Sequence, residues 1–129
     1  MLYIIDTYAW VEYLIGSKKG GNVKKVLNDR KNQFITLSCC LGELRGWCLK
    51  EKNDFNKVYY VVRSNSGIEE IHTNDWVRAA EIRHEKRANI EDFGFIDSLI
   101  LTKQEKYKCE VISGDKHFRG LRNVVYVGD

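Results

Sequence analysis

The opening stretch MLYIIDTYAWVEYL (residues 1–14) is apolar from Leu2 to Ile5, stops on a lone carboxylate, Asp6, and continues at once in a helical pattern. A short β-prone run that passes directly into a helix is the start of a strand–helix unit. The carboxylate at the joint has two readings. It caps the helix beginning near Tyr8, as N-terminal Asp residues commonly do, or it is a working group.

The same alternation repeats along the chain. Short apolar or β-branched runs predict strands over Leu2–Asp6, Phe34–Leu37, Ile68–Ile71, Cys109–Ser113 and Val124–Val127. Helical patterns lie between them, over Tyr8–Ile15, Val23–Asn28, Cys39–Lys50, Asp54–Arg63, Asn74–Arg87 and Phe93–Lys108. Strands alternating with helices predict an α/β fold, a mostly parallel central sheet of about five strands with helices on both faces. Proline is absent, and no repeat or low-complexity tract divides the chain. GSKKGGN (16–22) and RSNSG (63–67) are too short for domain linkers and read as connections, so residues 1–129 form one expected domain.

Composition narrows the classes. Hydrophobic residues make up 43% and charged residues 30% of the chain, which excludes general disorder. No apolar run is long enough to span a bilayer, and the N-terminus lacks the regions of a signal peptide. A soluble, cytoplasmic protein with no membrane partner is expected. Cys39, Cys40, Cys48 and Cys109 lack the spacing of a zinc site and read as core-filling thiols. The net charge of +3 is compatible with nucleic acid. Lys18, Lys19, Lys24, Lys25, Arg45, Lys116, Arg119 and Arg122 either touch phosphate or form a solvated surface.

In open α/β sheets, ligands bind outside the carboxyl ends of the strands. Asp6 stands at such an end, and so does Asp115, just after CEVISG. Helical wheels add two more acids. Glu43 falls at the edge of the apolar stripe Cys40, Leu44, Trp47, and Asp97 shares a face with Phe93, Ile100 and Leu101. Lys103 and Lys106 fall on the opposite side, where solvent is expected. No basic residue lies three or four positions from Glu43 or Asp97 to pair with either one. Each acid has an ordinary reading as a cap, a surface charge, a helix-dipole partner or a turn residue. Four converging on one sheet edge would repel each other unless a divalent cation neutralised them. Oxygen ligands with room for water suit Mg²⁺ or Mn²⁺ better than Zn²⁺.

Four segments carry this pattern in order: YIIDTYAWVEYL, TLSCCLGELRGW, FIDSLILTKQEK and EVISGDKHF. In them the chain resembles the PIN-domain ribonucleases over nearly its whole length, most closely the small VapC-type toxins of toxin–antitoxin pairs. The resemblance implies Asp6, Glu43, Asp97 and Asp115 as an acidic quartet holding one or two Mg²⁺ or Mn²⁺ ions. Thr7 and Ser113 match positions where a hydroxyl orients a carboxylate or a metal-bound water. Glu91 and Asp92, just before the third acid, could substitute or assist. Gly114 departs from the pattern, standing where the family often carries a larger residue.

The implied activity is metal-dependent hydrolysis of RNA phosphodiester bonds, with tRNA or rRNA as substrate and Lys116, Arg119, Arg122 and Arg45 on the RNA backbone. A homodimer and an inhibitory antitoxin are implied partners. His117 reads as a turn histidine near the mouth in preference to a proton carrier. The rival functions are an RNA-processing nuclease and a non-catalytic module on the same fold. A receiver-like domain would need an acidic pair near the first strand, and IIDTY offers one acid only.

Overall fold

The computed structural model describes residues 1–128. Its elements follow the chain as β1 (Leu2–Ile5), α1 (Thr7–Ile15), α2 (Lys18–Leu27), β2 (Gln33–Leu37), α3 (Ser38–Glu51), α4 (Phe55–Asn65), β3 (Gly67–Glu69), α5 (Thr73–Lys86), α6 (Phe95–Tyr107), β4 (Glu110–Ser113) and β5 (Val124–Tyr126), with a 3-10 helix at Lys116–Phe118. The five strands form one sheet in the order β3-β2-β1-β4-β5, with every pair parallel. Six α-helices flank it.

Strand alternation divides the core between the two faces. Ile4 points into a cluster with Leu37, Phe93, Leu99, Ile100 and Val111 under α5 and α6. Its neighbour Ile5 points the other way, to Ala9, Trp10, Val23, Leu44 and Val62 under α1 to α4. Both faces are therefore covered, which is why the strands read as continuous apolar runs. The three most central strands run β2-β1-β4, so successive connections leave β1 toward opposite edges. That makes the carboxyl ends of β1 and β4 the topological switch point, where such sheets open a crevice.

RSNSG (63–67) is not a connection: residues 63–65 close α4 and Gly67 opens β3, with Ser66 alone between them. Two further expectations about the fold fail. The segment 16–22 is mostly helix: the Ser17 hydroxyl accepts from the Gly20 N–H at 3.0 Å and starts α2 five residues before the expected Val23. The glycine pair masks the helix in sequence, because Gly is a poor helix former. Gly20 is there for space. A Cβ at this position would press into the Glu12 carbonyl and Tyr13 Cα of α1.

The second failure is Lys103, which is wholly buried. Its ammonium lies 2.8 Å from both Glu69 Oε2 and Asp75 Oδ2. Every residue from Ser98 to Lys103 is buried, because α6 is covered by the sheet on one side and α5 on the other. A helix enclosed in this way has no solvent stripe at its middle, so the wheel placed Lys103 wrongly. Burial, the largest single influence, pushes both carboxyls upward, but the Lys103 hydrogen bond and charge, joined by Tyr107 at Glu69 and the His72 N–H at Asp75, together hold both below their ordinary values.

Candidate active site

The switch point holds a cavity of about 240 Å³ lined by Asp6, Thr7, Tyr8, Glu43, Ile96, Asp97, Ile100 and Asp115. All four acids singled out in the sequence thus face one space, although they come from four different parts of the chain. A larger cleft of about 330 Å³, between α5, α6 and the turn before β5, contains none of them.

Asp6 answers to both readings of the opening stretch. Its Oδ1 accepts from the Ala9 N–H at 2.8 Å and caps α1, while Oδ2 accepts a hydrogen bond from the Ser113 hydroxyl across the β1–β4 boundary. A carboxylate offers about four lone-pair positions, so a capped Asp6 keeps free acceptor capacity toward the cavity. It is almost fully buried. Burial pushes its carboxyl up to about 7, against the Ser113 and Ala9 hydrogen bonds, with the charges of Asp115 and Glu43 adding to the rise.

Ser113 connects two of the acids. Besides donating to Asp6, its Oγ accepts from the Asp115 N–H at 3.0 Å. Asp115 then caps the 3-10 helix by accepting from the His117 N–H at 2.9 Å. Asp97 sits in the first turn of α6, where Oδ2 accepts from the Gly94 N–H at 3.1 Å. Burial raises its carboxyl, the Gly94 bond and His117 lower it, and the nearby charges of Asp115 and Glu43 raise it further. Glu43 is exposed on α3 rather than at a buried edge, and its Oε1 accepts from Thr7 Oγ1 at 2.6 Å. Each carboxylate is therefore held by at least one donor of the protein itself.

His117 is placed closer to the acids than a turn residue at the mouth. Its Nδ1 lies 2.8 Å from Asp115 Oδ1 and 3.3 Å from Asp97 Oδ2, and the ring packs edge-on against Phe93. Both ring nitrogens are shielded from solvent, yet neither is aligned for a hydrogen bond among the described residues. Tyr8, which lines the cavity, was also not singled out in the sequence. The available signal was Gly114: a Cβ there would collide with the Tyr8 ring.

The basic residues scatter. Lys116 is exposed beside Asp115, and Arg119 is exposed with its guanidinium 5.3 Å from the Tyr126 ring centroid. Arg45 stacks over Phe55 at 5.7 Å and does not line the cavity. Arg122 precedes β5 at the amino edge of the sheet and lines the larger cleft. Its carbonyl accepts from Gln104, seven residues beyond Asp97 on α6 and so about 10 Å along the helix axis. Glu91 and Asp92 are exposed and do not line the cavity.

Comparison with known proteins places the fold. The PIN domain family model matches residues 3–123. Among solved structures, a toxin–antitoxin complex from Klebsiella pneumoniae is similar over 97% of each chain, with a TM-score of 0.77 at 17% identity. VapBC2 from Rickettsia felis, bound to a DNA fragment from its promoter, gives 0.70 at 17% identity over 98% of this chain and 97% of that one. The Mycobacterium tuberculosis toxin VapC20, which cleaves the sarcin–ricin loop, gives 0.67 at 16% identity over 84% and 86%. These similarities are of fold. No curated protein matches the sequence.

Proposed function

Because the chain belongs to the PIN domain family, we propose that it is a Mg²⁺- or Mn²⁺-dependent endoribonuclease and the toxin of a VapBC-type pair. The observation that carries this reading is the convergence of Asp6, Glu43, Asp97 and Asp115 on one cavity at the sheet's switch point. No Lys or Arg is among the residues that line that cavity, and His117, beside Asp97 and Asp115, is the one basic group in contact with the four acids among the described residues. Such a set is costly unless a cation enters it.

The donor set fits a hard divalent ion. Carboxylate oxygens from four parts of the chain offer acceptor positions, and the shielded Nδ1 of His117, not aligned for a hydrogen bond, stands beside Asp97 and Asp115 close enough to share a ligand with them. A divalent cation held there supplies charge neutralisation for the phosphate and a water activated toward in-line attack. The chain's own contribution is orientation. Ser113 fixes one oxygen of Asp6, Gly94 fixes Asp97, and Thr7 draws Glu43 back toward β1. Lys116 is positioned beside the cavity to hold the RNA backbone, and Arg119 lies three residues further on.

The similar structures that are toxin–antitoxin complexes support an antitoxin protein as partner of this chain. An inhibitory role for that partner and a homodimer rest on the family resemblance alone. VapC20 cleaves the sarcin–ricin loop, which supports a structured RNA as the substrate, and tRNA or rRNA is the proposed class. No helix among the described residues is long and apolar enough to cross a membrane.

The reading is tested by incubating purified protein with a mixed tRNA and rRNA pool in Mg²⁺, Mn²⁺ or EDTA, alongside Asp6→Asn and Asp97→Asn. Discrete cleavage that needs the metal and disappears in both variants is expected. Cleavage that persists in the variants or in EDTA would rule it out.

A further inference from the structure

Tyr8 is the one aromatic side chain among the residues that line the acidic cavity. It stands there because of Gly114. That glycine is buried, and a Cβ on it would fall inside contact distance of the Tyr8 ring carbons Cδ1 and Cε1. Gly114 is not among the residues with positive φ, so no backbone conformation requires glycine. Its function is space. The ring lies directly against the main chain between Ser113 and Asp115, two of the residues that build the site.

A second feature meets the ring at its hydroxyl. Lys19, in the first turn of α2, donates to the Tyr8 hydroxyl at 3.3 Å, with its ammonium 6.0 Å from the ring centroid. Among the described residues it makes no ion pair, so two of its three N–H donors are open. Gly20, the next residue, sets this placement: it lets α2 approach the Glu12 carbonyl of α1 closely, which carries Lys19 to Tyr8. Tyr8 thus joins the two: its ring lines the cavity with the four acids, and its hydroxyl holds the ammonium of Lys19, which lies outside that lining.

Resting on the nuclease reading above, we propose that Tyr8 and Lys19 are a nucleotide subsite of the active site. The Tyr8 ring stacks on an unpaired base next to the cleaved linkage, and Lys19 holds a phosphate of that nucleotide. Stacking on an aromatic face tolerates every base but requires it to be out of a helix. The subsite therefore selects a loop or an unpaired strand over a duplex. Tyr8 and Lys19 are positioning residues and take no part in bond breaking.

The test uses a single-stranded ten-residue RNA of mixed sequence with 2-aminopurine at its adenine positions, about 10 nucleotides being within reach of a groove this size. It is titrated in Mg²⁺ into the Asp97→Asn protein, whose hydrolysis is blocked. Quenching of the 2-aminopurine is expected, retained in Tyr8→Phe and lost in Tyr8→Leu, where affinity falls about 5- to 100-fold. Lys19→Ala keeps the quenching at saturation but lowers the salt dependence of binding by about one phosphate contact. Equal affinity and quenching in Tyr8→Leu would overturn the subsite and leave the nuclease reading intact. An unchanged salt slope in Lys19→Ala, which truncates one half-buried side chain at Cβ, would remove Lys19 from it. RNA that fails to bind the Asp97→Asn protein, together with no cleavage by wild type, would overturn both the subsite and the nuclease reading.

Discussion

Thr7 Oγ1 donates a 2.6 Å hydrogen bond to Glu43 Oε1, joining the first turn of α1 to the middle of α3 across the mouth of the acidic cavity. Glu43 is otherwise exposed, and its reach into the cavity depends on this bond. The hydroxyl directly after Asp6 thus orients a different acid, from a segment 36 residues away.

Replacing Thr7 by Val keeps the shape of the side chain and removes the donor. Outer partners of metal-binding carboxylates are typically worth about 10- to 100-fold in activity or metal affinity. A loss of that size is expected for RNA cleavage by Thr7→Val, with stability changed by about 1 kcal/mol or less. Parallel cleavage assays and urea unfolding check it. Full activity would mean that Glu43 holds its place without Thr7.

Burial of Asp6 makes the metal-free protein pH-sensitive. Its carboxyl is raised to about 7 in the fold and lies near 3.8 in the unfolded chain, so the folded state binds the extra proton between those values. Stability from this group is complete below about pH 4, declines as pH rises and levels off above about pH 7. Asp6→Asn lacks that decline. In EDTA the variant is expected to gain on wild type steadily from pH 4 to pH 7, by up to about 1.4 kcal/mol per unit. Thermal melts of both proteins across this range measure the difference, and a gap that stays constant would contradict a buried, raised carboxyl.

Lys103 neutralises Glu69 and Asp75 at 2.8 Å from each. Lys103→Met conserves volume but leaves two carboxylates facing a buried apolar chain. Removing one partner of a buried ion pair costs about 3–5 kcal/mol, and a loss in that range is expected from denaturant midpoints. Adding Asp75→Asn and Glu69→Gln should return part of it. A loss below about 1 kcal/mol would show that water reaches the site.

Gly20 and Gly21 are adjacent in one helix and differ only in what surrounds them. A Cβ on Gly20 meets the α1 backbone, whereas one on Gly21 meets nothing within 4 Å. Gly21→Ala is expected to stabilise by up to about 1 kcal/mol through helix propensity. Gly20→Ala is expected to destabilise by about 1–3 kcal/mol through overpacking. Similar effects from both would remove the close α1–α2 contact from the explanation of Lys19's position.

The sequence is most legible where one local signal decides. Apolar runs ending at Ile5 and Ser113 located the central strands, and their parallel pairing followed from the helices between them. The cavity-lining acids were visible as carboxylates at strand ends or among apolar neighbours. Features set by tertiary contact were hidden. Lys103 looked solvent-facing because a wheel cannot show that α5 covers the far side of α6. The start of α2 was masked by a glycine pair of which only Gly20 is required for close packing. His117 approaches Asp97 only after β4 and α6 converge, across 20 residues of sequence that carry no pairing signal.

Binding of Mn²⁺ to the metal-free protein, followed by the loss of the free-ion electron paramagnetic resonance signal, tests most directly whether the converging carboxylates form an ion site. Saturable uptake of one or two ions by wild type, abolished in Asp6→Asn and Asp97→Asn while both variants remain folded, is the expected result. Uptake by the variants equal to wild type, or none by wild type, would contradict it.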